Sequence, residues 1–180
     1  MYAGTVLLSK EPPKQEPTKT VGLISDTHIP KKALTLSPKT INLFQNVDYI
    51  IHAGDLVELT VIDELEQLAP VIAVHGNMDS LATKQNLPNL NILRVLDWKI
   101  GVMHDPDIAF GLNKIRALVT EHAFNIFVYG HTHTADIKWE GKTLYINPGS
   151  ATIPASPLSN QSVAILKLTK ESITPEIIEF

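Results

Sequence analysis

From Thr20 onward, the sequence alternates short runs of apolar residues with longer segments that have helical spacing. Each apolar run is rich in Val and Ile and is followed by turn residues, which is typical of buried β-strands. The first three predicted strands are Val21–Ser25, Asp48–His52 and Val71–His75. Lys39–Asn46 and Thr60–Leu68 lie between them and are predicted helices, and Thr60 is expected to cap the second. This alternation predicts an α/β protein.

The second half of the sequence predicts further strands, most of them antiparallel. Its elements are a hairpin of Asn91–Leu96 and Lys99–Met103, a helix at Leu112–His122, a strand at Asn125–Tyr129, a hairpin of Asp136–Trp139 and Thr143–Ile146, and strands at Ser162–Leu168 and Ile173–Phe180. Together these elements predict a mixed α/β (α+β) fold. We expect a two-sheet β-sandwich with helices on the outside.

The N-terminal segment differs from the rest of the chain. Lys10–Lys19 is charged and contains three prolines, which cannot continue a helix or a central strand. We therefore expect residues 1–19 to form an extension or tether, and residues 20–180 to form one domain.

The composition excludes several classes of protein. The chain has 180 residues and no cysteine, so disulfides, thiol catalysis and cysteine-bound metals are excluded. Its formal net charge of −4 argues against a nucleic-acid-binding protein, which usually has an excess of basic residues. No apolar run reaches the roughly 18 residues that cross a bilayer, and the N-terminus has no signal core. We expect a soluble, cytoplasmic protein that binds neither nucleic acid nor membranes.

Five of the apolar runs lead directly into side chains of types that bind metals. These side chains are Asp26, His28, Asp55, Asn77, His104, His131 and His133. Ligand sites in α/β sheets gather beyond the carboxyl ends of the strands, so we expect the seven to converge. Oxygen and imidazole donors without sulfur suit manganese, iron or zinc. Seven ligands suit two ions that share a carboxylate, a recurrent arrangement for displacement at phosphorus.

Each of these motifs has an ordinary structural explanation when it is taken alone. Asp26-Thr27-His28 is also typical of a turn with a capping aspartate, and Gly76-Asn77 is typical of a β-hairpin. Two histidines in Gly130–His133, on one side of an extended loop, serve packing poorly. Because the motifs occur together and each follows a strand, their combination predicts a metal site.

The combined motifs resemble the calcineurin-like metallophosphoesterase superfamily. The matching segments are D-x-H (Asp26 to His28), G-D (Gly54-Asp55), G-N-x-D (Gly76 to Asp79), a strand-terminal His104 and G-H-T-H (Gly130 to His133). The similarity extends from Thr20 to the C-terminus, includes Tyr145–Ser150, and is greatest to the small single-domain phosphodiesterases of bacteria and archaea. It implies a two-sheet β-sandwich flanked by helices.

The resemblance also implies that the chain binds two divalent metal ions. Asp26, His28, Asp55 and His133 would hold one ion, and Asp55, Asn77, His104 and His131 would hold the other, with Asp55 as the bridge. Asp55, Asn77, His104 and His131 would be the catalytic residues. Manganese is the expected metal, with iron, nickel, zinc and magnesium as alternatives. A metal-bridging hydroxide would attack the phosphorus of a small phosphate ester.

Two positions depart from the superfamily pattern. Met78 stands where larger phosphatases have a histidine that protonates the leaving group, and a thioether cannot donate that proton. This departure predicts activity on phosphodiesters and activated aryl phosphates and little on simple sugar phosphates. Asp105-Pro106 replaces the usual Gly-His, and Asp105 and Asp107 add negative charge that would repel highly anionic substrates.

The other polar residues near these motifs have blander interpretations. We expect His52, His75 and His122 to be structural, and Asp79 to support the ligands rather than to bind metal. Lys31 either meets a substrate phosphate or lies on a solvated surface.

Three alternatives to a phosphodiesterase stay open. One is a non-catalytic scaffold that binds protein partners, as the metallophosphoesterase-fold subunit of retromer does. The others are a phosphomonoesterase and a nuclease of the same superfamily. The full set of ligand types disfavours the scaffold, and the short chain without a basic patch disfavours the nuclease. The resemblance also implies a homo-oligomer, either a dimer or a tetramer.

Overall fold

The computed structural model of the chain describes residues 18–105 and 113–180. Ten strands and four helices lie in these ranges. In chain order they are β1 (Lys19–Ile24), α1 (Pro38–Phe44), β2 (Tyr49–His52), α2 (Thr60–Glu66), β3 (Val71–Ala73), α3 (Leu81–Asn86), β4 (Leu90–Val95), β5 (Trp98–Met103), α4 (Asn113–His122), β6 (Ile126–Val128), β7 (Ala135–Glu140), β8 (Thr143–Pro148), β9 (Ser162–Leu168) and β10 (Ile173–Glu179).

The strands form two five-stranded sheets, which confirms the predicted β-sandwich. The first sheet has the order β10-β9-β1-β2-β3 and the second has the order β4-β5-β6-β8-β7. β1, β2 and β3 are parallel to one another, and so are β5, β6 and β8. In each sheet the carboxyl ends of the parallel strands therefore reach the same edge. The loops that carry the metal-ligand motifs follow β1, β2, β3, β5 and β6.

Three apolar clusters hold these layers together. The main cluster fills the space between the sheets and draws on both, including Leu23, Ile51, Val102, Val128 and Ile146. A second lies between the first sheet and helices α1 and α2, and a third lies between the second sheet and α4. Because successive strand residues face opposite ways, Leu23 belongs to the main cluster and Ile24 to the second. Burial on both faces explains the nearly continuous apolar runs in the sequence.

The helices agree only partly with their predicted boundaries. Helix α1 begins after Ser37, whose side chain accepts a hydrogen bond from the Thr40 amide. Helix α2 has Leu59 at its N-cap position with no side-chain hydrogen bond, so the expected cap by Thr60 is wrong. Helix α3 was not predicted. It has only six residues, and Ser80 caps it by accepting from the Thr83 amide.

Several sequence expectations concern residues outside the described ranges. Residues 1–17 of the predicted extension and the departures at Pro106 and Asp107 lie there, and the boundary between extension and domain stays a prediction. Among the helices of residues 18–105 and 113–180, none is long and apolar enough to cross a membrane.

Asp48 ties the start of β1 to the start of β2, at the end of the sheet opposite the motif loops. Its carboxylate accepts a hydrogen bond from Lys19 Nζ at 2.6 Å and one from the Thr20 amide at 2.8 Å. Partial burial opposes ionisation, but these two donors outweigh it and lower the pKa of Asp48 below its usual 3.8.

We therefore predict that Asp48→Asn lowers the free energy of unfolding by about 1 kcal/mol at pH 7. Because the carboxyl pKa is lower in the folded state, this stabilisation is present above pH 3.8 and is lost as the pH falls through the folded pKa. Urea unfolding at pH 7 and pH 3 measures it. Glu176→Gln, at an exposed acidic position on β10, is the matched control. Equal destabilisation at both pH values would contradict the prediction.

Candidate metal centre

The seven candidate ligands meet at the shared edge of the two sheets. Hydrogen bonds between the first two loops fix their relative position, from the Asp26 amide to the Gly54 carbonyl at 3.0 Å and from the His28 amide to the Asp55 carbonyl at 2.9 Å. Each side chain of the cluster contacts the next one, in the order His133, Asp26, His28, Asp55, His104, Asn77 and His131. The convergence expected from the strand ends therefore occurs, while the ligand roles themselves stay a prediction.

The backbone of this cluster is strained. Five of the seven residues have positive φ angles, between 46° and 70°; they are Asp26, His28, Asp55, His131 and His133. For side chains other than glycine this conformation costs about 1 kcal/mol or more per residue. Such strain concentrates at functional sites, where the surrounding structure holds it in place.

One group of side chains consists of Asp26, His28 and His133. Asp26 Oδ1 lies 3.3 Å from His133 Nε2 and 4.0 Å from His28 Nε2, and the two Nε2 atoms are 3.2 Å apart. Asp26 is fully buried, and its Oδ1 has no hydrogen-bond partner among the described residues. A buried carboxylate oxygen without a partner is costly unless a cation neutralises it.

The ring nitrogens of His133 indicate the same need for positive charge. His133 Nδ1 lies 2.8 Å from the Ile153 carbonyl, so Nδ1 carries the proton and Nε2 of the neutral ring is a bare lone pair. The Asp26 carboxylate raises the pKa of His133 against the effect of burial. Burial lowers the pKa of His28, although Asp55 and Asp26 oppose this. The neutral His133 ring thus turns a lone pair toward the Asp26 carboxylate, an arrangement that suits a bound cation.

A second group is built in the same way around Asp55. His104 Nδ1 donates to the Ala53 carbonyl at 2.8 Å, which leaves its Nε2 facing Asp55 Oδ2 at 3.3 Å. Burial opposes charge on both residues, yet their mutual contact lowers the pKa of Asp55 and raises that of His104. Asp55 Oδ2 also lies 3.8 Å from His28 Nε2. One carboxylate oxygen therefore faces both groups.

Asn77 and His131 complete the second group on its exposed side. Asn77 Oδ1 lies 3.1 Å from His104 Nε2 and 3.0 Å from His131 Nδ1. His131 Nε2 is 3.8 Å from Asp105 Oδ2. The negative charge added by Asp105 therefore lies beside the cluster.

His52 and Asp79 hold the ligand loops and do not face the cluster. The His52 ring accepts at Nδ1 from the Gly54 amide at 3.2 Å, so its Nε2 donates to Thr27 Oγ1 at 3.0 Å. Burial lowers the pKa of His52 to about 4, and the ring stays neutral at physiological pH. The Asp79 carboxylate accepts from the Val57 and Gly76 amides, each at 2.6 Å. These contacts join the loops that follow β1, β2 and β3.

The sequence predicts that the backbone of the Asn147–Ser150 turn supports the G-H-T-H loop, whereas the structure shows that the side chains of Asn147 and Ser150 support the ligand loops. Asn147 Nδ2 donates to the Gly130 carbonyl at 2.9 Å and to Thr132 Oγ1 at 3.0 Å, and so supports the loop of His131 and His133. Ser150 Oγ donates to the Asp26 carbonyl at 2.7 Å. The sequence pointed to both residues only through the Tyr145–Ser150 segment. This segment lies beside the motif loops because β8 ends at the same edge as the motif strands.

Gly76-Asn77 is not a hairpin turn, since the strand before it, β3, belongs to the first sheet and the next strand, β4, belongs to the second. Close packing requires glycine at position 76. A Cβ atom there would lie 2.1 Å from Asp55 Oδ1 and 2.7 Å from His104 Cδ2. The glycine lets the loop approach the side chains of the cluster.

The donor set fits divalent cations. Two sets of three side chains have ligand atoms that all lie within 4.8 Å of one another. They are Asp26, His28 and His133, and Asp26, Asp55 and His104. Sulfur-free donors of this kind suit first-row ions such as manganese, iron or zinc. The partnerless Asp26 oxygen and the Nε2 lone pairs give such ions a physical role.

Comparison with known proteins gives consistent findings. The model of the calcineurin-like phosphoesterase superfamily domain matches residues 20–171. A probable metallophosphoesterase of Methanocaldococcus jannaschii is 41% identical over 157 residues, which span 86% of this chain and 77% of the relative. A phosphodiesterase of the same organism is 34% identical over 140 residues, 72% of this chain and 82% of the relative.

Solved structures share the fold. Vacuolar protein sorting 29 from Cryptosporidium parvum superimposes with a TM-score of 0.75, over 91% of this chain and 98% of that protein. The sequence identity is 21%, so this likeness concerns the fold alone.

We predict that Gly76→Ala weakens metal binding at least about tenfold, because its methyl group would displace Asp55 and His104. Equilibrium dialysis against Mn²⁺, with bound metal counted by mass spectrometry, measures the effect. Gly141→Asn is the control, since no atom lies within 4 Å of a Cβ there and asparagine tolerates its φ of +61°. Metal binding by Gly76→Ala equal to that of the wild type would contradict the prediction.

Proposed function

Because the chain belongs to the calcineurin-like phosphoesterase superfamily, we propose that it hydrolyses small phosphodiesters with two divalent metal ions. The observation that carries the proposal is the position of Asp55. One of its carboxylate oxygens faces His28 at 3.8 Å and His104 at 3.3 Å. A carboxylate between two groups of imidazole donors suits a pair of ions that share it.

The contacts favour one division of the ligands. We assign Asp26, His28, Asp55 and His133 to one ion, and Asp55, Asn77, His104 and His131 to the other. We propose manganese as the metal, because two of the four side chains assigned to each ion donate a carboxylate or amide oxygen. When bound, such a pair of cations lowers the pKa of water and neutralises charge that develops on the phosphoryl group.

The protein's own residues would orient the phosphate. Asn77 and His131 lie on the exposed side of the cluster, where a substrate can reach them. Lys84 Nζ donates to the Asn77 carbonyl at 2.8 Å, and Lys31 Nζ donates to the Met78 carbonyl at 3.4 Å. Both ammonium groups add positive charge beside this loop, which favours an anionic substrate.

Two features favour diesters over monoesters. Met78 has 47% of its surface exposed at this loop and cannot protonate a leaving group, so a good leaving group is needed. Asp105 lies 3.8 Å from His131 and disfavours the second negative charge that a monoester carries. The relative named a phosphodiesterase, 34% identical to this chain, supports the same preference.

A non-catalytic scaffold is the alternative, because a protein named for vacuolar protein sorting has the same fold. A scaffold has no need of two buried carboxylates that face bare imidazole nitrogens. The strained backbone of five candidate ligands is likewise unexplained by partner binding alone.

We predict that metal-stripped protein regains hydrolysis of bis(p-nitrophenyl) phosphate when Mn²⁺ is added. Fe²⁺, Ni²⁺, Zn²⁺ and Mg²⁺ are tested in parallel, and p-nitrophenyl phosphate is expected to react more slowly. Asp55→Asn should lower kcat/KM by about 100-fold or more, because it removes the shared negative charge. Asp97→Asn, in the exposed turn between β4 and β5, is the control. Absence of metal-dependent hydrolysis with every ion would contradict the proposal and favour the scaffold.

A further inference from the structure

A cavity of about 340 Å³ opens beside the second group of candidate ligands. Its lining includes His75, Asn77, Lys84, Asn89, His104 and Asp105. Asn77 and His104 are candidate metal ligands, so a molecule whose phosphate binds there has this space next to it. The volume is within the range of pockets that hold small molecules.

Two polar side chains of the lining make no hydrogen bond within the described part of the chain. His75 Nδ1 is buried and has no partner, although the His75 backbone amide is fixed by the Pro88 carbonyl at 3.1 Å. The Asn89 amide is exposed and is likewise without a side-chain partner among these residues. His75 and Asn89 both line the cavity, so these side chains bring unused hydrogen-bonding capacity to its wall.

The charged groups of the lining have opposite signs. Lys84 is half-buried, and its ammonium uses one hydrogen for the Asn77 carbonyl at 2.8 Å, which leaves two to donate. The Asp105 carboxylate can only accept. An anion in the cavity would be repelled by Asp105, and a cation would be repelled by Lys84.

An uncharged hydroxyl group fits such a lining. A hydroxyl both donates and accepts hydrogen bonds, so it can pair with an imidazole nitrogen, with the amide of Asn89 and with the ammonium of Lys84. An aliphatic substituent would leave these groups unpaired and would have to desolvate them.

We propose that this cavity receives one ester substituent of the substrate and selects a substituent that carries a hydroxyl group. His75, Lys84 and Asn89 are the residues that hold it. The inference rests on the proposed function, since Asn77 and His104 must bind the phosphate for the substituent to enter the cavity. A site that hydrogen-bonds a substrate hydroxyl discriminates strongly against the analogue that lacks it.

The experiment compares two diesters with the same leaving group, 3-hydroxypropyl p-nitrophenyl phosphate and propyl p-nitrophenyl phosphate. With the manganese-loaded protein, we expect kcat/KM to be at least about tenfold higher for the hydroxypropyl diester. His75→Leu and Lys84→Met should each reduce this ratio to about threefold or less. Gln85→Met, at an exposed position of the same helix that does not line the cavity, should retain the full ratio.

The ratio of the two kcat/KM values distinguishes a damaged pocket from a partly unfolded variant. A partly unfolded variant loses activity on both diesters equally and keeps the ratio. Equal kcat/KM for the two diesters in the wild type, or an unchanged ratio in both pocket variants, would overturn the proposal. In that case hydrolysis of bis(p-nitrophenyl) phosphate would still support the phosphodiesterase function.

A binding measurement tests the pocket even if the protein hydrolyses no diester. Calorimetry with the manganese-loaded protein compares two diesters that have a poor leaving group, 3-hydroxypropyl methyl phosphate and propyl methyl phosphate. We expect the hydroxyl compound to bind about tenfold more tightly to the wild type and to lose that advantage in Lys84→Met. Equal affinity of the two compounds for the wild type, or no binding of either, would overturn the pocket.

Discussion

Two buried carboxylates, Asp26 and Asp55, face imidazole nitrogens that carry no proton when the rings are neutral. His104 and His133 each donate from Nδ1 to a backbone carbonyl at 2.8 Å, so their Nε2 atoms point lone pairs at carboxylate oxygens 3.3 Å away. An Nε2 lone pair and a carboxylate oxygen at this distance repel each other unless positive charge lies between them. The neighbouring carboxylates raise the pKa values of His104 and His133, so a proton can supply this positive charge. A divalent cation supplies more of it.

The fold meets this requirement by bringing distant loops to one edge. Parallel pairing aligns the carboxyl ends of β1, β2 and β3 in one sheet and of β5 and β6 in the other. Supporting side chains then fix the loops: His52 joins the first to the second, Asp79 joins the second to the third, and Asn147 holds the loop of the last two histidines. The left-handed backbone of five cluster residues is maintained by this dense set of contacts.

The sequence was most informative where a side chain of a metal-binding type directly follows a buried strand. Its strands and the convergence of seven polar side chains could be predicted, because apolar runs and strand ends are local signals. Helix α3 has only six residues, too few for a clear helical period, and was missed. The supporting role of Asn147 and the cavity beside Lys84 depend on contacts between segments far apart in the chain. Such contacts leave no periodic pattern, so only the structure reveals them.

In the proposed centre, Asp55 lies between two metal ions. Anomalous diffraction from crystals grown with Mn²⁺ and recorded at the manganese absorption edge tests it most directly. We predict two peaks about 3.5–4 Å apart, both in contact with the Asp55 carboxylate, with Asp26, His28 and His133 around one and Asn77, His104 and His131 around the other. A single peak, or peaks that do not contact Asp55, would contradict the two-metal centre.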